Sequence, residues 1–212
     1  MNQSPRQHAR VAGILYLVTH LTSVGAVIAY GAGATLAGVM LEFVLAIGCL
    51  GTGVLLWLLL RDRGPARAAT FGMLRAVEAA VILAGTMPML AMAWLGPSSD
   101  SWIGAATALH IAAFLVGQGL VISVNTIVLG WLLWDSRAVS GPLAGLGLVG
   151  GVVVLASNLA QLWGLIPLNG TVAGVAAAPV FAFELWFAIH LIVVGVRPRE
   201  RSAASLETRV DA

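Results

Sequence analysis

The chain has 212 residues, 59% of them hydrophobic and 9% charged, with a formal net charge of +2 and a mean hydropathy of +0.96. Soluble domains carry roughly 25% charged residues, so the composition reads as a single membrane domain over residues 1–212. Lysine is absent, which excludes a Schiff-base retinal pigment of the usual kind, and the single Cys49 excludes an internal disulfide, a CxxC redox pair, quinone-reducing dithiol chemistry and a thiolate metal cluster.

A helix that crosses roughly 30 Å of hydrocarbon needs about 20 mostly apolar residues. Six stretches qualify. The first, 11–31, is too long for a signal peptide and has no small-residue cleavage site, so it reads as a retained anchor. Its Tyr16, His20 and Ser23 share one face. The second covers 35–60, where Gly38, Glu42, Ala46, Cys49 and Gly53 fall on one side of the helix. Small residues mark close helix packing, so Glu42 is expected to face the bundle.

The third span, 68–95, carries Arg75, Glu78 and a Pro88 that invites a kink. The fourth, 104–134, is overlong and is expected to tilt or to begin with an interfacial turn near Trp102. His110, Phe114, Gln118, Val121 and Asn125 form one stripe along it. The fifth, 143–166, opens with Gly145, Gly147 and Gly151, and carries Asn158 and Gln161 on a shared face. Gly147 and Gly151 fit the small-xxx-small contact pattern. In the sixth, 179–196, Glu184 and His190 are six residues apart and point to different surroundings. Residues 197–212 read as a tail.

Arginine sets the orientation. Arg6, Arg10, Arg61, Arg63, Arg67, Arg137, Arg197, Arg199, Arg201 and Arg209 fall on the side of the two termini, and the other connections carry none. That asymmetry predicts cytoplasmic N and C termini in a multi-pass protein of the cell membrane. The pI near 9.3 therefore follows from topology, and no nucleic-acid partner is expected. Trp94, Trp102, Trp131 and Trp134 lie near predicted interfaces, as an aromatic belt would.

Ionisable groups at membrane depth cost about 2.5–3.5 kcal/mol on insertion scales and turn toward the protein interior. Glu42, Arg75, Glu78 and Glu184 are the charged residues so placed, joined by His20, His110 and His190. Arg75 and Glu78 are helical neighbours at i, i+3. They read either as a structural ion pair or as a base or ligand anchor held ionised by its arginine. Arg75 lies in the inner half, where its stem has the length to snorkel toward the cytoplasm. Glu42 and Glu184 have no basic partner on their own helices, which makes them candidate proton donors. His20 and His190 read as structural. No HExxH, P-loop or GxSxG motif occurs.

Four segments carry a resemblance: "ARVAGILYLV" in the first span, "LRAVEAA" in the third, "WDSRAVSGPLAGLGLVGG" between the fourth and fifth, and "FELWFAIHLIVVGVRP" at the end of the last. The chain resembles the bacterial integral-membrane family catalogued as domain of unknown function 4386. The resemblance implies an all-α, six-helix membrane bundle in which Arg75, Glu78 and Glu184 are central. It implies no substrate.

Two functions fit these residues. One is an acid–base enzyme of the isomerase or cyclase type acting on an apolar, isoprenoid-like small molecule, without metal or cofactor. Glu42, Glu78, His110 and Glu184 are then the catalytic candidates around one cavity. Arg75, Gln118, Asn158, Gln161, Trp163, Phe181 and Trp186 are its candidate binding residues, joined by Phe187 as a further aromatic. The other is a proton- or cation-coupled transporter, or a non-catalytic protein that binds a ligand or a partner in the bilayer. The oligomeric state is not encoded in any of these features.

Overall fold

The computed structural model describes residues 4–95 and 100–197, and of residues 100 and 101 the backbone alone. Part of the connection expected over 96–101 and the tail with Arg199, Arg201 and Arg209 lie outside the described residues. All regular structure among the described residues is helical: α1 (Pro5–Gly31), α2 (Thr35–Leu60), α3 (Pro65–Leu95), α4 (Asp100–Phe114), a π-helical segment (Leu115–Val121), α5 (Ile122–Asp135), α6 (Gly141–Leu162) and α7 (Thr171–Val193). With α4, the π segment and α5 taken as one, six helices are long and apolar enough to cross a membrane.

Local chemistry accounts for where these helices begin and end. α1 starts six residues earlier than its apolar run because Ser4 and Gln7 form a capping box and Pro5 occupies the first helical position. The fourth span has no interfacial turn at Trp102. It is helical throughout, and its excess length includes the seven-residue π segment. α6 stops at Leu162, short of the expected 166, and Gly164 follows in the left-handed region at φ 67°. α7 begins at Thr171, so Pro179 lies inside the helix that it was expected to start. Proline is tolerated within membrane helices when neighbouring elements accommodate the freed backbone. Here Gly150 of α6 provides the room, since a Cβ at that position would sit 3.1 Å from the Pro179 carbonyl carbon.

Each span packs against its neighbours in sequence, and α7 returns to α1, which closes a ring of six. α1 begins and α7 ends at one face, called proximal here, and the opposite face is distal. The proximal half is filled by a buried apolar cluster to which Tyr16, Leu56, Phe71, Leu132, Phe183 and Phe187 belong. Gly147 lies directly against the Phe183 ring, and Gly151 against Ile127, so the two glycines serve different neighbours across α6. At the proximal rim Arg67 pairs with Asp135 and lies over the Trp131 ring. Arg63 donates to the carbonyls of Ser136 and Arg197.

Candidate functional site

The charged pair of α3 sits at a close approach of α2 and α3. A Cβ on Gly53 would lie 2.8 Å from the Arg75 Cβ, so the glycine brings Thr52 within reach of the guanidinium. Arg75 donates to Glu78 Oε2 at 2.9 Å through Nη1, and to Thr52 Oγ1 at 3.2 Å through Nε and 2.9 Å through Nη2. The Thr52 hydroxyl donates to the Cys49 carbonyl at 2.8 Å. One donor and two acceptor positions exhaust what a hydroxyl offers. The guanidinium also lies 5.2 Å from the centre of the Tyr16 ring. Arg75 is only 2% exposed, so it does not snorkel. Its charge is met inside the bundle by a carboxylate, a hydroxyl and a ring face, which removes any gain from reaching for the surface.

Glu78 is held from three helices. Besides Arg75, it accepts from Asn125 Nδ2 of α5 at 2.8 Å, and the Cys49 thiol of α2 approaches Oε1 at 3.7 Å. Asn125 is the last residue of the stripe read on the fourth span. The stripe crosses the π segment, in which Gly117 packs against Val81 and Gly119 against the Asn158 amide.

Two histidine–glutamate pairs share one construction. His20 sets Nδ1 2.8 Å from the Tyr16 carbonyl and Nε2 3.5 Å from Glu184 Oε2. His110 sets Nδ1 3.1 Å from the Gly85 carbonyl and Nε2 3.6 Å from Glu42 Oε1. A carbonyl accepts only, so Nδ1 carries a hydrogen in both. The Nε2–carboxyl contact is then attractive when it holds one proton, on either partner, and each pair is neutral in that state. Tyr30 donates to Glu42 Oε2 at 2.9 Å, with its ring 4.9 Å from that of His110. Phe181 stands edge-to-face on His20 at 4.7 Å.

These groups do not surround one cavity. A cavity of about 200 Å³ lies at mid-depth, walled by Thr19, His20 and Ser23 of α1, Cys49 of α2, Arg75 and Glu78 of α3, Phe114, Gln118 and Ile122, Val154 of α6, and Phe181 and Glu184 of α7. Glu42 and His110 line a separate space of about 10 Å³ with Gly85 and Ala113, and the two spaces share Phe114 and Gln118. Gln118 is fixed by the Ser23 hydroxyl, which donates to its Oε1 at 3.0 Å.

The remaining sequence candidates fall elsewhere. Asn158 and Gln161 are buried but do not line the cavity. Gln161 donates to Asn158 at 3.0 Å and accepts from the Asn169 backbone at 2.9 Å, and Asn158 donates to Ser123 at 3.3 Å, tying α6 to α5 and to the loop after it. Trp163, 78% exposed at the end of α6, and Trp186, 45% exposed, are likewise outside the lining, because their positions turn them to the perimeter. Phe187 is fully buried in the proximal core, edge-on to Tyr16. His190 stays apart from Glu184, its buried Nε2 without a hydrogen-bond partner. His20, read from the sequence as structural, lines the cavity beside Glu184, on the face that it shares with Tyr16 and Ser23.

A ring of six helices, each long and apolar enough to cross a membrane, around a partly enclosed cavity defines a multi-pass helical membrane protein. Residues 11–195 match the family described as Domain of unknown function (DUF4386), and the chain belongs to it. No curated protein and no solved structure matches the chain.

Proposed function

We propose that the cavity is an acid–base site for an apolar small molecule of the isoprenoid kind, catalysing isomerisation or cyclisation within the cell membrane, with the proximal face cytoplasmic. The observation that carries this reading is the His20–Glu184 pair and the Arg75-bound Glu78 lining one cavity whose other surfaces are largely apolar. A proton held at Glu184 protonates one carbon of a double bond, and the Glu78 carboxylate removes a proton from a neighbouring carbon. The double bond shifts, and no oxidant or further reactant is needed. The ring faces of Phe114 and Phe181 favour the intervening carbocation.

At about 200 Å³ the cavity is smaller than the ~300–1,000 Å³ that encloses a whole drug-sized ligand. It suits the reacting end of a longer molecule. α1 and α7 touch at Gly13 and Ala188, and farther from the proximal face the cavity lies between them, edged by half-exposed Val24 and Phe181. The apolar tail leaves through that seam.

The test compares lipid extracts of cells that express the wild-type protein and Glu184→Gln at equal, folded levels. A neutral isoprenoid species should differ between them by double-bond position or ring count. Identical extracts from both strains, with the wild-type protein abundant, sink the enzymatic reading.

A further inference from the structure

The lining of the 200 Å³ cavity stops at Val24 on α1. That residue lies seven positions, about 10 Å, from the distal end of its helix. The Tyr30–Glu42–His110 cluster fills part of the layer between. The Tyr30 ring lies so close over α2 that a Cβ on Gly38 would come within 2.5 Å of it. Glu42 is 4% exposed, accepts from the Tyr30 hydroxyl and faces His110 Nε2.

Beneath them the small space measures about 10 Å³, close to the ~10–15 Å³ that one water molecule requires. Glu42, His110 and Gln118 line it, which meets the two to four polar partners that such a water needs. Its far wall, Gln118 and Phe114, is also the wall of the cavity. α3 contributes only Ile82 and Gly85 to it, so among the described residues no titratable group besides Glu42 and His110 lines the space. The other polar chain on the distal side, Gln161–Asn158–Ser123, contains no titratable group and does not reach the cavity lining.

We propose that Tyr30, Glu42 and His110 form a proton relay that joins the distal face to the cavity through this one-water space. The proposal rests on the acid–base reading of the cavity, for which it supplies and removes protons. In each passage the water releases a proton past Gln118 to the His20–Glu184 pair of the cavity and takes one from the Glu42–His110 pair. The Tyr30 hydroxyl delivers a proton to Glu42 Oε2 and regains its own from distal-face water, and rotation of the Glu42 carboxyl carries the new proton round to His110. One proton enters for each that leaves, and the pair returns to neutrality.

Cys49 provides the probe. It is the chain's single cysteine, it lines the cavity, and its S–H stretch falls in an infrared window clear of other protein bands. Protein in phosphatidylcholine nanodiscs is diluted from H₂O into D₂O, and loss of the S–H band is followed in time. Exchange should slow by about tenfold or more in Glu42→Gln and in Tyr30→Phe, as expected when a proton-conducting chain is cut inside a membrane protein. Tyr30→Phe keeps the ring that packs on Gly38 and His110, so it tests the relay even where Glu42→Gln does not fold. Wild-type exchange rates in a folded variant of either kind overturn the relay. Slowed exchange together with unaltered lipid extracts in Glu184→Gln keeps the relay and removes the enzymatic reading instead.

Discussion

Arg75 and Glu78 show how two full charges persist inside a bundle with almost no polar surroundings. Every group on the guanidinium side has a matched partner: Thr52 spends both acceptor positions on Arg75, and Asn125 shares Glu78 Oε2 with it. Breaking a buried ion pair strands a charge and costs about 3–5 kcal/mol, whereas removing both partners is milder. Arg75→Leu and Glu78→Leu should each lower the Tm in detergent more than the double variant does, with the double still below wild type because Thr52 and Asn125 lose partners. Additive single effects in that cycle would rule out the pairing as the source of stability. The pair itself was legible at i, i+3 in the sequence. Its partners were not, since Thr52 and Asn125 lie on other helices, and neutral polar residues carry no long-range signal. The same holds for His20, whose partner Glu184 lies at the other end of the chain and becomes a neighbour only when α7 closes on α1.

At the scale of the helix, the π segment is the feature that periodicity missed. The stripe from His110 to Asn125 was read with α-helical spacing, yet both ends face inward across a stretch that is wound more loosely. One residue of an α-helix turns it by about 100°. Deleting Val116, which is lipid-exposed, should regularise the segment and turn α4 against α5. Either His110 then leaves Glu42 or Asn125 leaves Glu78. The expected result is a Tm drop comparable to that expected for Glu78→Leu, with both variants measured on the same kind of preparation. A deletion variant as stable as wild type would mean that the π segment has no part in aiming these side chains. Most helix boundaries were legible to within a few residues, but the starts of α1 and α7 were placed six and eight residues late, because both helices extend beyond the apolar runs that were read.

For the whole molecule, the number and order of spans followed from hydropathy alone, because twenty apolar residues in a row have few other uses. The division of the acids between two spaces did not follow, since it depends on which faces meet once the ring is closed. The orientation rests on arginine. Reporter fusions at Gly64 should read cytoplasmic and those at Asn169 external, as the charge asymmetry requires. The opposite pattern would invert the membrane side from which the relay draws protons.

The filled proximal half has a further consequence. Leu56, Leu132, Phe183 and their neighbours fill the interior on that side, so on the proposed reading a molecule reaching the cavity through the α1–α7 seam comes from the distal monolayer and returns to it. On the proposed function the protein then works on one leaflet's pool alone. With the proximal face cytoplasmic, molecules made on the inner leaflet become available only after they have flipped, and their transbilayer exchange rate, more than their total amount, sets the supply.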